Sequence, residues 1–190
     1  CAVSDIKQRC PMMQETLPIN NHISLTPFND ADKGNLVKYL NDEAMRRNTL
    51  RVPHPYTPKD ADEWLEKVKQ TLADRGRTVN WAIRHREAGA IGGIGSFLKN
   101  GLDGHSDEIG YWIAGPFRGQ GIMTEVVRQF CAHLFDTRPA LLRIEAWVFA
   151  HNQASVRVLE KAGFEREGFS RKAFFKNGTP LDAILLGMIK

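Results

Sequence analysis

Arg118, Gly119, Gln120 and Gly121 stand together directly before a helix-forming stretch. Glycines at such a place let a ligand approach the backbone, and the first amides of a helix have no partner of their own. Converging amides, the positive end of a helix dipole and a guanidinium suit an anionic group such as a phosphate. A plain turn feeding a helix would use the same glycines, and local spacing leaves both readings open. The stretch is not a P-loop, because no Gly-Lys-Ser/Thr follows. It is not a dinucleotide fingerprint either, because Thr124 stands where a glycine or alanine is needed. The glycines of "GGIGSF" lie in an apolar strand and are accounted for by packing. The six histidines show no metal-ligand spacing and no cysteine joins them, so no metal site is expected.

These residues need elements to hold them. Residues 1–20 read as a head that need not be ordered, and 21–190 as one domain. A first strand is expected from His22 to Thr26, then a helix capped by Asn29 or Asp30 and running to about Asn41. "RNTLRVPHPYTP" has three prolines between Pro53 and Pro58, which exclude helix and central strand there. Thr57 and Pro58 open the next helix, which ends near Gly76. "TVNWAIRH", "AIGGIGSFL" and "SDEIGYWIA" form a meander of strands. The glycine turn and a helix to Phe135 follow, then "LLRIEAWVF" as a central strand. Asn152 caps a short helix stopped by Gly163. Two strands around Asn177-Gly178 close the chain. Trp64, Trp81, Trp112 and Trp147 fall on core faces.

With 42% hydrophobic and 25% charged residues, the 190-residue chain is an ordinary globular one, neither disordered nor membrane-spanning. Its formal charge of +4 suits an anionic ligand, but no Lys/Arg run marks a nucleic-acid surface, and no direct nucleic-acid contact is expected. Cys1, Cys10 and Cys131 form no C-x-x-C pair, and the head has no apolar signal core, so a reduced cytoplasmic protein is expected.

"EIGYWIAGPFRGQGIMTEVV", followed by "LLRIEAWVFAHNQASVRVLEKAGFEREG", resembles the GNAT superfamily of acetyl-CoA-dependent N-acetyltransferases. The superfamily signature Arg/Gln-x-x-Gly-x-Gly/Ala reads here as Arg118-x-x-Gly121-x-Met123. Methionine at the third anchor is similar to the branch of ribosomal-protein N-terminal acetyltransferases. So are "ISLTPFNDADKGNLVKYLND" and "PYTPKDADEWLEK" earlier in the chain. The resemblance spans residues 22–190 and implies a mixed α/β (α+β) fold. Its central sheet would be mostly antiparallel, splayed between the fourth and fifth strands and flanked by helices.

The resemblance also implies a site. Acetyl-CoA would place its pyrophosphate on Arg118, Gly119, Gln120, Gly121, Ile122, Met123 and Thr124. Its pantetheine and thioester carbonyl would lie near Ile113 and Ala114, where a strand-end amide could donate to the developing oxyanion. Asn152 would bond the pantetheine region, although it is also a good N-cap, and Ser155 would protonate the departing thiolate. Glu108 is the first candidate for the base that takes the amine's proton, with Asp107 and Glu145 as neighbouring candidates. A solvated strand residue is the plain alternative for Glu108. Where some relatives keep a glutamate in the segment "RKAFFKNG", this chain has Phe174 and Phe175. Arg51, His54 and Tyr56 sit in a loop suited to lining an acceptor site. The implied reaction is direct acetyl transfer to a primary amine, a protein N-terminus or a small amine. Cys131 is expected to be buried and so no covalent carrier. Exposed strand edges of such a fold offer a route to a homodimer. The rival reading is a non-catalytic acyl-CoA sensor or an RNA-associated module on the same fold.

Overall fold

The computed structural model describes residues 15–101 and 103–190; the expectations for Cys1 and Cys10 lie outside the described residues. The strands are β1 (Leu17–Pro18), β2 (Ile23–Pro27), β3 (Asn80–His85), β4 (Gly89–Ser96), β5 (Ser106–Ile113), β6 (Arg143–Phe149), β7 (Glu165–Lys176) and β8 (Thr179–Ile189). The helices are α1 (Lys33–Leu40), α2 (Glu43–Asn48), α3 (Pro58–Arg75), α4 (Ile122–Thr137) and α5 (Gln153–Ala162). The strands form one sheet in the order β1-β2-β3-β4-β5-β6-β8-β7. Every neighbouring pair is antiparallel except β5 and β6, which run parallel because α4 carries the chain between them.

Local chemistry sets the helix ends. Thr57 and Asp60 form a reciprocal capping box, Pro58 takes the first helical position, and Gly76 closes α3 in the left-handed conformation. Asn29 caps a short 3-10 turn, Asp30–Asp32, that leads into α1. Asn177 and Gly178 both have positive φ, as a tight hairpin between β7 and β8 needs.

Side chains alternate across the sheet. Trp81 and Ile83 face the layer of α4 and α5, with Val126, Val127, Phe130, Cys131, Val156 and Leu159. Ala82 and Ala90 face α1 and α3, with Phe28, Leu36, Leu40 and Leu65. Each large side chain buried there contributes about 1.5–3 kcal/mol.

Three expectations change. Leu17–Pro18 is not part of a loose head: it pairs with Ser24 and Leu25, and Ile19 is buried. The Gln129 amide also donates to the Ile19 carbonyl at 3.0 Å. The helix α2 was not anticipated from the sequence. Asp42 caps it by accepting from the Met45 amide, and its last two residues, Arg47 and Asn48, fall inside the proline-rich run where helix was expected to be excluded. Trp147 is half-buried and meets Phe174 edge-on, on a small aromatic cluster with Phe149. With β1 counted, the expected splay lies between β5 and β6.

Candidate active site

The parallel pairing of β5 with β6 is short. Ser106 pairs with Arg143, Asp107 with Ile144 and Glu108 with Glu145, and the pairing ends there. Each strand continues against its other neighbour, β5 as far as Ile113 and β6 as far as Phe149. Beyond Glu108 a gap therefore opens between two well-formed half-sheets.

The gap has hydrogen-bonding walls. The Ala114 amide donates to Ile91 O at 2.8 Å and the Glu108 carbonyl accepts from Phe97 at 2.8 Å, both towards the β4 side. Ladder bonds alternate along a strand, so the amides of Tyr111 and Ile113 point the other way, into the gap. Of the expected strand-end pair, Ala114 is buried with its amide committed to Ile91 O, which leaves the Tyr111 and Ile113 amides facing the gap.

Side chains alternate with the amides. Tyr111 lies on the α4–α5 face, and its hydroxyl is 2.7 Å from Ser155 Oγ and 3.3 Å from Ser155 O. Burial raises the phenol's pKa well above its ordinary value, with the Ser155 bond opposing. Ser155 is fixed in the first turn of α5, where Asn152 Oδ1 accepts from its amide at 3.3 Å. The cap role of Asn152 is thus filled. The Tyr111–Ser155 hydroxyl pair was not anticipated. Its signal in the sequence was a phenol between the apolar Ile109 and Ile113 on one face of the strand.

Glu108 lies on the opposite face of β5, half-buried. Burial raises its pKa; Lys99 and Arg51 oppose this, while Glu145 and Asp107 add to it. A half-buried carboxyl with a raised pKa is suited to receiving a proton. The two neighbouring candidates are committed elsewhere. Glu145 is buried and bonded by Lys99 and Arg143. Asp107 is fully buried and holds the Arg138 guanidinium, the Ser96 hydroxyl and the Lys99 and Glu108 amides. It organises the base of the gap and has no oxygen facing it. Tyr56 belongs to the core against α1 and α3, whereas Arg51 and His54 are exposed.

The turn after β5 is an open cradle. Gly119 and Gly121 have φ of 74° and 79°, and a Cβ at either would meet nothing within 4 Å. Asp42, Thr57 and Asn152 cap α2, α3 and α5 through side chains, but α4 starts at Gly121 with no capping side chain. The amides of Ile122, Met123 and Thr124 open that helix, and the Met123 side chain is in the core. Arg118 Nε donates to Ile113 O at 3.1 Å. Arg118 Nη2 is buried, forms an ion pair with Asp42 at 2.7 Å, and makes no aligned hydrogen bond. Gln120 folds back onto Pro116 O at 2.9 Å. An open glycine cradle, an uncapped helix start and a guanidinium with spare donor capacity fit a diphosphate.

The acetyltransferase (GNAT) domain model matches residues 22–165, three quarters of the chain. The chain belongs to the GNAT acetyltransferase family. A Bacillus subtilis relative, the uncharacterized N-acetyltransferase YoaA, is 33% identical over 137 residues, covering 67% of this chain and 77% of the relative. Among solved structures, the ribosomal L7/L12 alpha-N-protein acetyltransferase RimL superposes with a TM-score of 0.79 at 21% identity, covering 94% of this chain and 96% of RimL. The microcin C7 self-immunity acetyltransferase MccE, in complex with acetyl-CoA and AMP, superposes with a TM-score of 0.78 at 19% identity, covering 90% and 94%. The mixed α/β fold with its mostly antiparallel sheet matches these GNAT structures, and the chain is an acetyltransferase enzyme of the same family. No group of metal-ligating side chains occurs among the described residues, and no helix among them is long and apolar enough to cross a membrane.

Proposed function

We propose that the protein transfers acetyl from acetyl-CoA to a primary amine, by direct attack in a ternary complex. The observation that carries this is that β5, whose edge at Tyr111 and Ile113 is unpaired with β6, runs directly into the open glycine cradle at Gly119 and Gly121. When bound there, acetyl-CoA supplies an acyl group activated as a thioester. Gly119, Gly121 and the first amides of α4 hold its diphosphate, with Arg118 beside them. Gln120 supports the turn through its bond to Pro116 O. The Tyr111 and Ile113 amides hold the pantetheine arm and stabilise charge on the carbonyl oxygen.

Protons move on both faces of β5. Glu108 takes the proton of the attacking amine, directly or through water, from the α1–α3 face. On the other face the Ser155 hydroxyl gives a proton to the sulfur as the C–S bond breaks, and the Tyr111 hydroxyl at 2.7 Å re-protonates Ser155. One proton is accepted and one is donated, which leaves Glu108 protonated and Tyr111 one proton short; proton exchange with solvent resets both before the next turnover. The buried Cys131, its pKa raised by burial, is no acyl carrier.

The acceptor we favour is the N-terminal amine of a ribosomal or other protein. The Met123 signature and the first-half resemblance support that choice over a small amine. A reading as a non-catalytic acyl-CoA sensor gives no role to Glu108 and to the hydroxyl pair on opposite faces of one strand. The deciding experiment is calorimetric titration with acetyl-CoA and CoA, followed by thiol release in the presence of N-terminal peptides and small amines. Binding with turnover supports the reading. Binding without turnover of any amine favours the sensor, and no binding removes the cofactor.

A further inference from the structure

Helix α2 is only six residues long, yet it reaches both half-sheets. At its start, Asp42 uses its two carboxylate oxygens differently. Oδ1 accepts from the Met45 amide at 2.9 Å and caps the helix. Oδ2 pairs with Arg118 Nη2 at 2.7 Å, on the cofactor turn that follows β5. Gly115 lets this pair approach: a Cβ there would come within 3.2 Å of Asp42 Oδ2. At the other end, Asn48 Oδ1 lies 3.1 Å from His151 Nε2, in the segment between β6 and α5. Lys176, at the end of β7, donates to the carbonyls of Arg46 and Thr49. The helix is therefore a strap across the gap, held to the β5 side by this ion pair and by the buried Met45, and to the β6–β8 side by hydrogen bonds.

The ion pair on the β5 side uses the guanidinium that the cradle offers to a diphosphate. A carboxylate already holds it, and a second anion arriving at the turn must share or displace that partner. We propose that Asp42 is a positioning residue acting through Arg118: it latches α2 to the cofactor turn, and the diphosphate competes with it for the guanidinium. Cofactor binding then loosens the start of α2 while its far end stays tied through Asn48 and Lys176. Cofactor affinity is consequently lowered by Asp42, and the two sides of the site are thermodynamically coupled through it. The proposal rests on the cofactor reading of the turn.

The test is calorimetric titration of the full chain with CoA, for the parent protein, Asp42→Asn and Asp42→Ser. Asparagine and serine both cap helices well, so α2 keeps its start while the charge is lost. Both variants are expected to bind CoA about fivefold more tightly, the size of a partly exposed ion pair. The gain should shrink at high salt. It should vanish for pantetheine, which has no phosphate, measured by displacement of CoA. It should also vanish when Arg118→Gln is combined with Asp42→Asn, because the charge then has nothing to act through. A merely structural Asp42 would give weaker binding of CoA and pantetheine alike, and that outcome overturns the proposal, as does unchanged affinity. If the parent protein fails to bind CoA, the cofactor reading itself falls and takes the latch with it.

Discussion

Gly121→Ala separates the backbone demand of the turn from its chemical use. Gly121 has φ of 79°, and Gly76, at the end of α3, has φ of 65°. A Cβ at either meets nothing within 4 Å, so packing does not enter the comparison. Each alanine is charged only with left-handed backbone strain, about 1–2 kcal/mol. For a chain of 190 residues, 1 kcal/mol moves the melting temperature by about 2–4 °C. Both variants should therefore melt about 2–8 °C lower than the parent, and by similar amounts. They should differ in ligand binding. The methyl at 121 stands in the mouth of the cradle, while the methyl at 76 stands in solvent. CoA affinity measured by calorimetry should fall at least about tenfold in Gly121→Ala, roughly 1.4 kcal/mol, and stay unchanged in Gly76→Ala. Parent-like affinity in Gly121→Ala would refute the reasoning. An equal loss in Gly76→Ala would show that the effect travels through global stability.

Other outcomes follow from the same geometry. Glu108 has a raised pKa in the folded protein, so its contribution to stability is present below the ordinary carboxylate range and is lost as pH rises through the folded value. Glu108→Gln should thus melt higher than the parent at neutral pH, a difference that disappears in acid, and the acid limb of its activity profile should flatten. Loss of melting temperature at neutral pH would argue that Glu108 is held by its cations instead. Ser155→Ala should lower kcat by about 10²-fold or more with CoA affinity nearly intact, and Tyr111→Phe should lower it less; equal loss of affinity and turnover in Ser155→Ala would assign a structural role. Asp107→Asn leaves Arg138 buried beside a neutral amide, and chemical denaturation should show a loss of about 3–5 kcal/mol. A variant as stable as the parent would remove Asp107 as the organiser of the gap.

Much of this architecture was legible because local chemistry and fold agree. Thr57-Pro58, Asn152, Gly163 and Asn177-Gly178 are strong punctuation, and the structure uses each as its residue type suggests. The cradle was readable for the same reason: glycines at 119 and 121 have left-handed φ. The misses depend on pairing between distant segments. Leu17–Pro18 has too few residues to show a period, and its strand exists only because β2 offers an edge. The short helix α2 is held in place partly by Arg118, His151 and Lys176, all far along the chain. Asp107 and Glu145 looked like free carboxylates because their cations, Arg138 and Lys99, are 31 and 46 residues away. The commitment of the Ala114 amide depends on the register of β4, which no spacing reveals.

The short seam between β5 and β6 bears on how the molecule comes apart. Only three residue pairs join the strands there, whereas β4–β5 and β6–β8 have longer ladders of their own. Opening the seam breaks few backbone bonds and leaves each half-sheet intact, so the molecule should contain two cooperative units with distinct opening energies. The bond from Arg138 to Asp107 spans them at the closed end of the gap. A cleft placed on such a seam obtains its width from the chain's own connectivity, and a ligand entering it would not need to unravel either unit.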